Sequence, residues 1–116
     1  MPDLPAVDTF PNPGPGRDYV IEHVANEFTS VCPKTGQPDF GIVTIRYVPD
    51  QKCLELKSLK LCLQSYRDRG IYYEAVTNEI LDHLVRWCAP RSMEVETRWS
   101  VRGGMQSVIR AKFVRA

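Results

Sequence analysis

A chain of 116 residues, 43% apolar and 25% charged, has the size and composition of one soluble globular domain, with room for one core and not for two. Its 15 basic and 14 acidic residues leave a formal charge of +1, which excludes a general electrostatic attraction to nucleic acid or an anionic membrane, and no apolar run approaches the length of a membrane span. Four cysteines without a C-x-x-C pair, two histidines and no leader-like N-terminus exclude zinc-knuckle spacing and point to a reduced, cytoplasmic chain in which no metal is expected.

Residues 1–16 hold Pro2, Pro5, Pro11, Pro13 and Pro15 with Gly14 and Gly16, and predict a flexible arm with neither helix nor paired strand ahead of a single domain over 17–116. Rising β-branched and aromatic content predicts strands from Tyr19 to Val24 and from Gly41 to Val48, the second stopped by Pro49 and Asp50. Between them "TSVCPKTGQPDF" reads as a loop that presents side chains. "CLELKSL" reads as a short extended connection, after which Leu59, Cys62, Leu63 and Tyr66 recur at i, i+3, i+4 and i+7 and predict an amphipathic helix up to Gly70. Val76, Ile80, Leu84 and Cys88 predict a second helix, stopped by Pro90. "MEVETRWSV" alternates, placing Met93, Val95, Thr97, Trp99 and Val101 on one face, and Arg102-Gly103-Gly104 turns the chain into a return strand, "MQSVIRAKF". The order ββααββ predicts an α+β fold, a four-stranded antiparallel sheet with both helices on one face. Its open face and edges call for self-association.

A buried structural thiol prefers apolar neighbours, and Cys32 has prolines, a glycine and polar residues instead. As a nucleophile it must act as thiolate, and it has Lys34 near in sequence but no adjacent histidine, which argues against a protease-like Cys-His dyad. Addition of sulfur to a nitrile has a different requirement, an acid placed to protonate the nitrogen. Asp39, seven positions on, fits that role if burial keeps it protonated. On spacing alone the plainer reading is favoured, a loop cysteine and an aspartate that turns the chain. Likewise Glu55, Lys57 and Lys60 read as a solvated charged face at a helix start, and Arg102-Gly103-Gly104 as a hairpin turn without a ligand. Cys53, Cys62 and Cys88 read as packing residues, and His23 and His83 as non-catalytic.

Longer blocks carry more. "EFTSVCPKTGQPDF", "CLELKSLKLCLQSYRDRG", "YYEAVTNEILDHL" and "RGG" together resemble the single-domain QueF family, the NADPH-dependent 7-cyano-7-deazaguanine reductases of queuosine biosynthesis, from about Arg17 to the hairpin. The resemblance implies the tunnelling fold, with protomers assembled into stacked rings and active sites between subunits. It implies Cys32 as the nucleophile that forms a covalent thioimide and Asp39 as the general acid. It implies substrate contacts from Leu54, Glu55, Leu56, Tyr73 and Glu74, with the two glutamates on the donor edge of the deazaguanine, and NADPH contacts from Lys57, Lys60, Arg102 and Gly103. The chain departs from the family pattern at Tyr73, where histidine is common, at Leu56, where serine is common, and at Cys62, where an aromatic residue is common. Two rivals stand beside this reading: a related amidinotransferase that joins the nitrile carbon to an amine without NADPH, which the "ELKSLK" block disfavours, and a noncatalytic purine-binding module of the same fold. Neither nucleic acid nor membrane is an expected partner.

Overall fold

The computed structural model describes residues 4–116. Eight elements follow one another: β1 (Thr9–Pro11), β2 (Ile21–Val31), β3 (Pro38–Val48), β4 (Lys52–Leu54), α1 (Leu56–Gln64), α2 (Tyr73–Cys88), β5 (Ser92–Trp99) and β6 (Val108–Val114). The long strands form one antiparallel sheet in the order β2-β3-β5-β6, and β1 pairs with β4 in a separate two-stranded sheet. The expected ββααββ order of the main sheet is observed.

The layering follows from the period-2 and period-3.6 patterns. Met93, Val95, Thr97 and Trp99 of β5 and Val43, Ile45 and Tyr47 of β3 point inward, where they meet Leu59, Cys62 and Leu63 of α1 and Val76, Ile80 and Leu84 of α2 in one core. The opposite face is charged. Arg46 lies between Glu22 of β2 and Glu94 of β5, bonded to each at 2.5 Å and 3.1 Å, and Arg110 of β6 reaches Glu96 at 2.8 Å. These cross-strand pairs follow from the register, in which Glu22, Arg46, Glu94 and Lys112 form one row.

Four expectations are corrected. The N-terminal segment is paired after all: Thr9 to Pro11 lie opposite Leu54 to Lys52, Val7 is buried, and Asn12 fixes the proline-rich turn by bonding the Asp50 carbonyl, the Gly14 N–H and the Tyr19 hydroxyl. Proline is tolerated here because a three-residue edge strand asks few N–H groups of it. Residues 1–3 of the expected arm lie outside the described residues. The loop around Cys32 is shorter than expected, because β2 runs on to Val31 and β3 begins at Pro38. The "CLELKSL" connection is instead β4 followed directly by α1. Val101 lies beyond the end of β5 and is exposed. No helix among the described residues is long and apolar enough to cross a membrane.

Candidate active site

Cys32 begins the six-residue turn that joins β2 to β3. Its N–H donates to the Gln37 carbonyl at 2.8 Å and its carbonyl accepts the Gly36 N–H at 2.9 Å, with Gly36 at φ 74°, a left-handed conformation suited to glycine. Hydrogen bonding from the Thr35 hydroxyl and from the N–H groups of Thr35 and Lys34 in this turn lowers the Cys32 thiol below its ordinary pKa, against the opposing effects of burial and of Asp39. The activating groups are therefore Thr35 and turn amides. Lys34 contributes through its backbone. The other three thiols are buried, with burial pushing Cys62 to about 11 and Cys88 to about 12.

The turn is braced from behind. The Val31 N–H donates to the Arg69 carbonyl at 3.0 Å and the Ile71 N–H to the Val31 carbonyl at 3.0 Å, while the Arg69 guanidinium is held by both carboxylate oxygens of Glu79 on α2. Tyr66 donates to the same carboxylate at 2.9 Å. A bidentate, partly buried pair of this kind fixes direction as well as charge.

Asp39, the second residue of β3, is 3% exposed. Its surround is polar rather than apolar. The Arg102 guanidinium donates to Asp39 Oδ1 at 2.5 Å and the Tyr73 hydroxyl to the same oxygen at 3.3 Å, while the other arm of Arg102 bonds the Gln37 side chain. The sheet explains this meeting. Gly41 lies opposite Trp99, the Ser100 N–H donates to the Phe40 carbonyl, and the next step along each strand brings Asp39 toward the hairpin. Arg102 and Met105 exchange both backbone hydrogen bonds across Gly103 and Gly104, at φ 58° and 78°, so two glycines close the turn that presents Arg102.

Cys32, Asp39, Tyr73, Glu74 and Arg102 line one cavity of about 220 Å³ together with Pro33, Ile71 and Tyr72. Glu74 stands in the first turn of α2, where its charge also suits the helix N-terminus. Tyr73 is stacked on Trp99 with ring centroids 4.0 Å apart, and burial, followed by the charge of Asp39, raises its pKa.

The remaining sequence-predicted residues lie elsewhere in the protomer. Leu54 is buried, its N–H bonded to the Tyr47 hydroxyl at 2.9 Å. Glu55 caps α1: its carboxylate accepts the N–H groups of Lys57 and Ser58 at 2.7 Å and 2.8 Å, and these amides hold its pKa down. Leu56 and Lys60 line a larger groove of about 460 Å³ between β2 and α1 that contains no cysteine. Lys57 is exposed on the first turn of α1, and Gly103 is in the hairpin turn. The two concavities share no lining residue. Sequence reading missed Thr35 and Gln37; the turn signature Pro33-Lys34-Thr35-Gly36 after the cysteine was the available signal for the first, and nothing local marked the second.

Comparison with known proteins adds to this geometry. The chain is 55% identical over 107 residues to a protein of Chlorobaculum parvum named NADPH-dependent 7-cyano-7-deazaguanine reductase, covering 92% of each chain. It is 56% identical over 117 residues to one of the same name from Thermomicrobium roseum, covering 99% of this chain and 91% of the other. Among solved structures, the apo form of the archaeosine synthase QueF-Like superposes with a TM-score of 0.76 over 80% of this chain and 91% of that one, at 24% identity, a likeness of fold. The sequence model described as QueF-like protein matches residues 38–116, a span that starts one residue before Asp39 and takes in both helices and the hairpin, so that the chain belongs to the QueF-like protein family.

Proposed function

We propose that this protein is an NADPH-dependent 7-cyano-7-deazaguanine reductase, which converts the nitrile of its substrate to the aminomethyl group. One observation carries the mechanism: an activated thiol and a buried, hydrogen-bonded carboxylate open into the same cavity. Sulfur attacks the nitrile carbon as the proton displaced from the thiol is matched by one delivered to nitrogen, giving a thioimide with no group expelled. Asp39 is the residue placed to deliver that proton. Glu74, at the cavity's edge, offers its carboxylate to the donor edge of the bicyclic base, where an unpaired donor would be costly.

NADPH, bound twice in succession, would supply one hydride each time, two in all. Lys57 and Lys60 fit its phosphates, since both are exposed and neither is in an ion pair among the described residues. Arg102 lies instead at the nucleophile's cavity, with Gly103 next to it in the hairpin turn. Tyr73, Glu74 and Arg102 thus line one concavity with the nucleophile while Leu56 and Lys60 line another, with Glu55 and Lys57 next to Leu56 in the chain, and this separation supports an assembly of several copies, a ring of the tunnelling type, in which the Glu55 to Lys60 segment of one copy completes the cavity of the next. A ring also covers the edges of β2 and β6. Free thiols and NADPH chemistry support a cytoplasmic setting for the reaction.

Mass spectrometry after mixing with the nitrile tests this reading. The whole ligand mass should appear on Cys32, and NADPH should then be oxidised. Capture without oxidation of NADPH would favour the amidinotransferase, and no adduct at any cysteine would leave a binding module.

A further inference from the structure

Arg102 is a residue whose resemblance-based role and whose place in the structure differ. A cofactor-phosphate residue has no need to contact the nucleophile's partner. Here the guanidinium lies on Asp39 Oδ1 at 2.5 Å, its second arm is on Gln37, and the glycine-closed hairpin holds it there. The Asp39 carboxylate is 3% exposed, so the contact is shielded from water on the acceptor's side, although the arginine itself is 39% exposed.

We propose that Arg102 is a positioning residue for the general acid and acts on covalent capture of the nitrile, before any cofactor is needed. The inference rests on the reductase reading given above. Its physical content is geometric. An oxygen that accepts hydrogen bonds from both Arg102 and Tyr73 is not the one that carries a transferable proton, so the proton delivered to nitrogen is carried by Oδ2. Arg102 and Gln37 thereby fix the rotation of the Asp39 carboxyl group about its Cβ–Cγ bond. Gln37 also accepts the Cys32 N–H through its carbonyl, so one residue ties the acid's orientation to the nucleophile's turn. The step balances without an added reagent: the S–H bond breaks, the S–C bond forms, one C–N π bond is replaced by N–H, and Asp39 passes the proton. The ionisable groups that share the cavity with Asp39 are Cys32 from the turn, Tyr72 at the N-cap of α2, Tyr73 and Glu74 from α2, and Arg102 from the hairpin.

The test is the rate of adduct formation on Cys32 with 7-cyano-7-deazaguanine and no NADPH, followed by mass spectrometry in the full chain. Arg102→Gln should slow capture by about tenfold or more, the scale on which a misplaced proton donor is felt. Arg102→Lys should recover part of the rate, because an ammonium reaches Asp39 but lacks the fork that also holds Gln37. In an Asp39→Asn background Arg102→Gln should add little further loss, since residues acting as a unit are not additive. Circular dichroism of each variant checks that the fold is kept, and Gln37→Ala, which removes only the second arm, should give a smaller slowing in the same direction. Wild-type capture rates in both Arg102→Gln and Gln37→Ala, with only the Michaelis constant for NADPH raised, would overturn the inference and leave the reductase reading intact. Failure of the wild-type protein to form the adduct would overturn both.

Discussion

Tyr73 lies flat on Trp99, the rings 9° from parallel and 4.0 Å apart, and this stack is what carries the Tyr73 hydroxyl to the Asp39 carboxylate. Trp99 is fixed in turn by its indole N–H, which donates to Thr97 at 2.9 Å, and Thr97 shares a hydrogen bond with Thr77 of α2 at 2.6 Å. A chain of packed rings and hydroxyls thus runs from the middle of the sheet to the acid. Tyr73→Phe keeps the stack and removes the hydroxyl. Adduct formation should slow several-fold with the fold unchanged, whereas Trp99→Leu should reduce both stability and capture; stopped-flow capture and thermal melting of the two variants separate these effects.

Gly41 is where the backbone makes room for that stack. A Cβ built there would lie 2.9 Å from the Trp99 ring and 3.1 Å from the Arg98 carbonyl. Gly41→Ala should destabilise the protein by about 1–3 kcal/mol, the usual range for overpacking a filled site, and shift the Tyr73 hydroxyl from Asp39. Chemical denaturation gives the first number and capture kinetics the second.

The lowered pKa of Cys32 has a direct consequence for its reactivity. Thiolate, the reactive form, should be present at lower pH than for an ordinary cysteine, so alkylation by iodoacetamide should begin to rise at a correspondingly lower pH. Thr35→Val removes the hydroxyl that contributes most to the shift. Its alkylation profile should move to higher pH while the plateau rate stays close to wild type. An unchanged profile would mean that the turn amides alone hold the thiolate.

Glu55 offers a pH test of its own. Its pKa is lowered in the folded state by the amides it caps, so it contributes stability above its unfolded pKa, and that contribution is lost as pH falls through the folded value. Glu55→Gln should therefore be less stable than wild type at neutral pH, and the two melting curves should converge in acid. If Glu55 also receives substrate in an assembled ring, the same variant loses nitrile affinity at neutral pH, measured by calorimetry on material of unchanged assembly state.

In solution the protein should sediment as an oligomer, and Lys60→Glu, in the groove between β2 and α1, should weaken nitrile reduction with the Cys32 adduct still able to form. Analytical ultracentrifugation and NADPH oxidation read the two parts. A fully active monomer would dispose of the shared site.

The sequence made the main sheet and both helices legible because their patterns repeat: Met93, Val95, Thr97 and Trp99 every second residue, Val76, Ile80, Leu84 and Cys88 every fourth. The paired N-terminal strand was not legible, since Thr9-Phe10-Pro11 has no period, and its order comes from the burial of Val7 and from backbone bonds to a segment more than 40 positions away. At the site, Cys32 and Asp39 could be singled out by residue type and motif. The contact of Arg102 with Asp39 could not, because it depends on where a hairpin ends relative to a neighbouring strand, a relation that is set by register and written in no local stretch.

The row of charges on the open face has a bearing on how that register is chosen during folding. Alternation on the buried face rejects a one-residue slip of β6, which would turn Ala111 and Phe113 outward, but it accepts a two-residue slip almost as well as the native pairing. The open face distinguishes them. In the native register Glu94 faces Lys112 and Glu96 faces Arg110, whereas a two-residue slip in one direction sets Arg98 against Arg110 and in the other leaves Glu96 opposite Val108. Residues remote from the nucleophile thus discriminate against the misfolded pairings in which Arg102 would be carried away from Asp39 and the acid would be left without its partner.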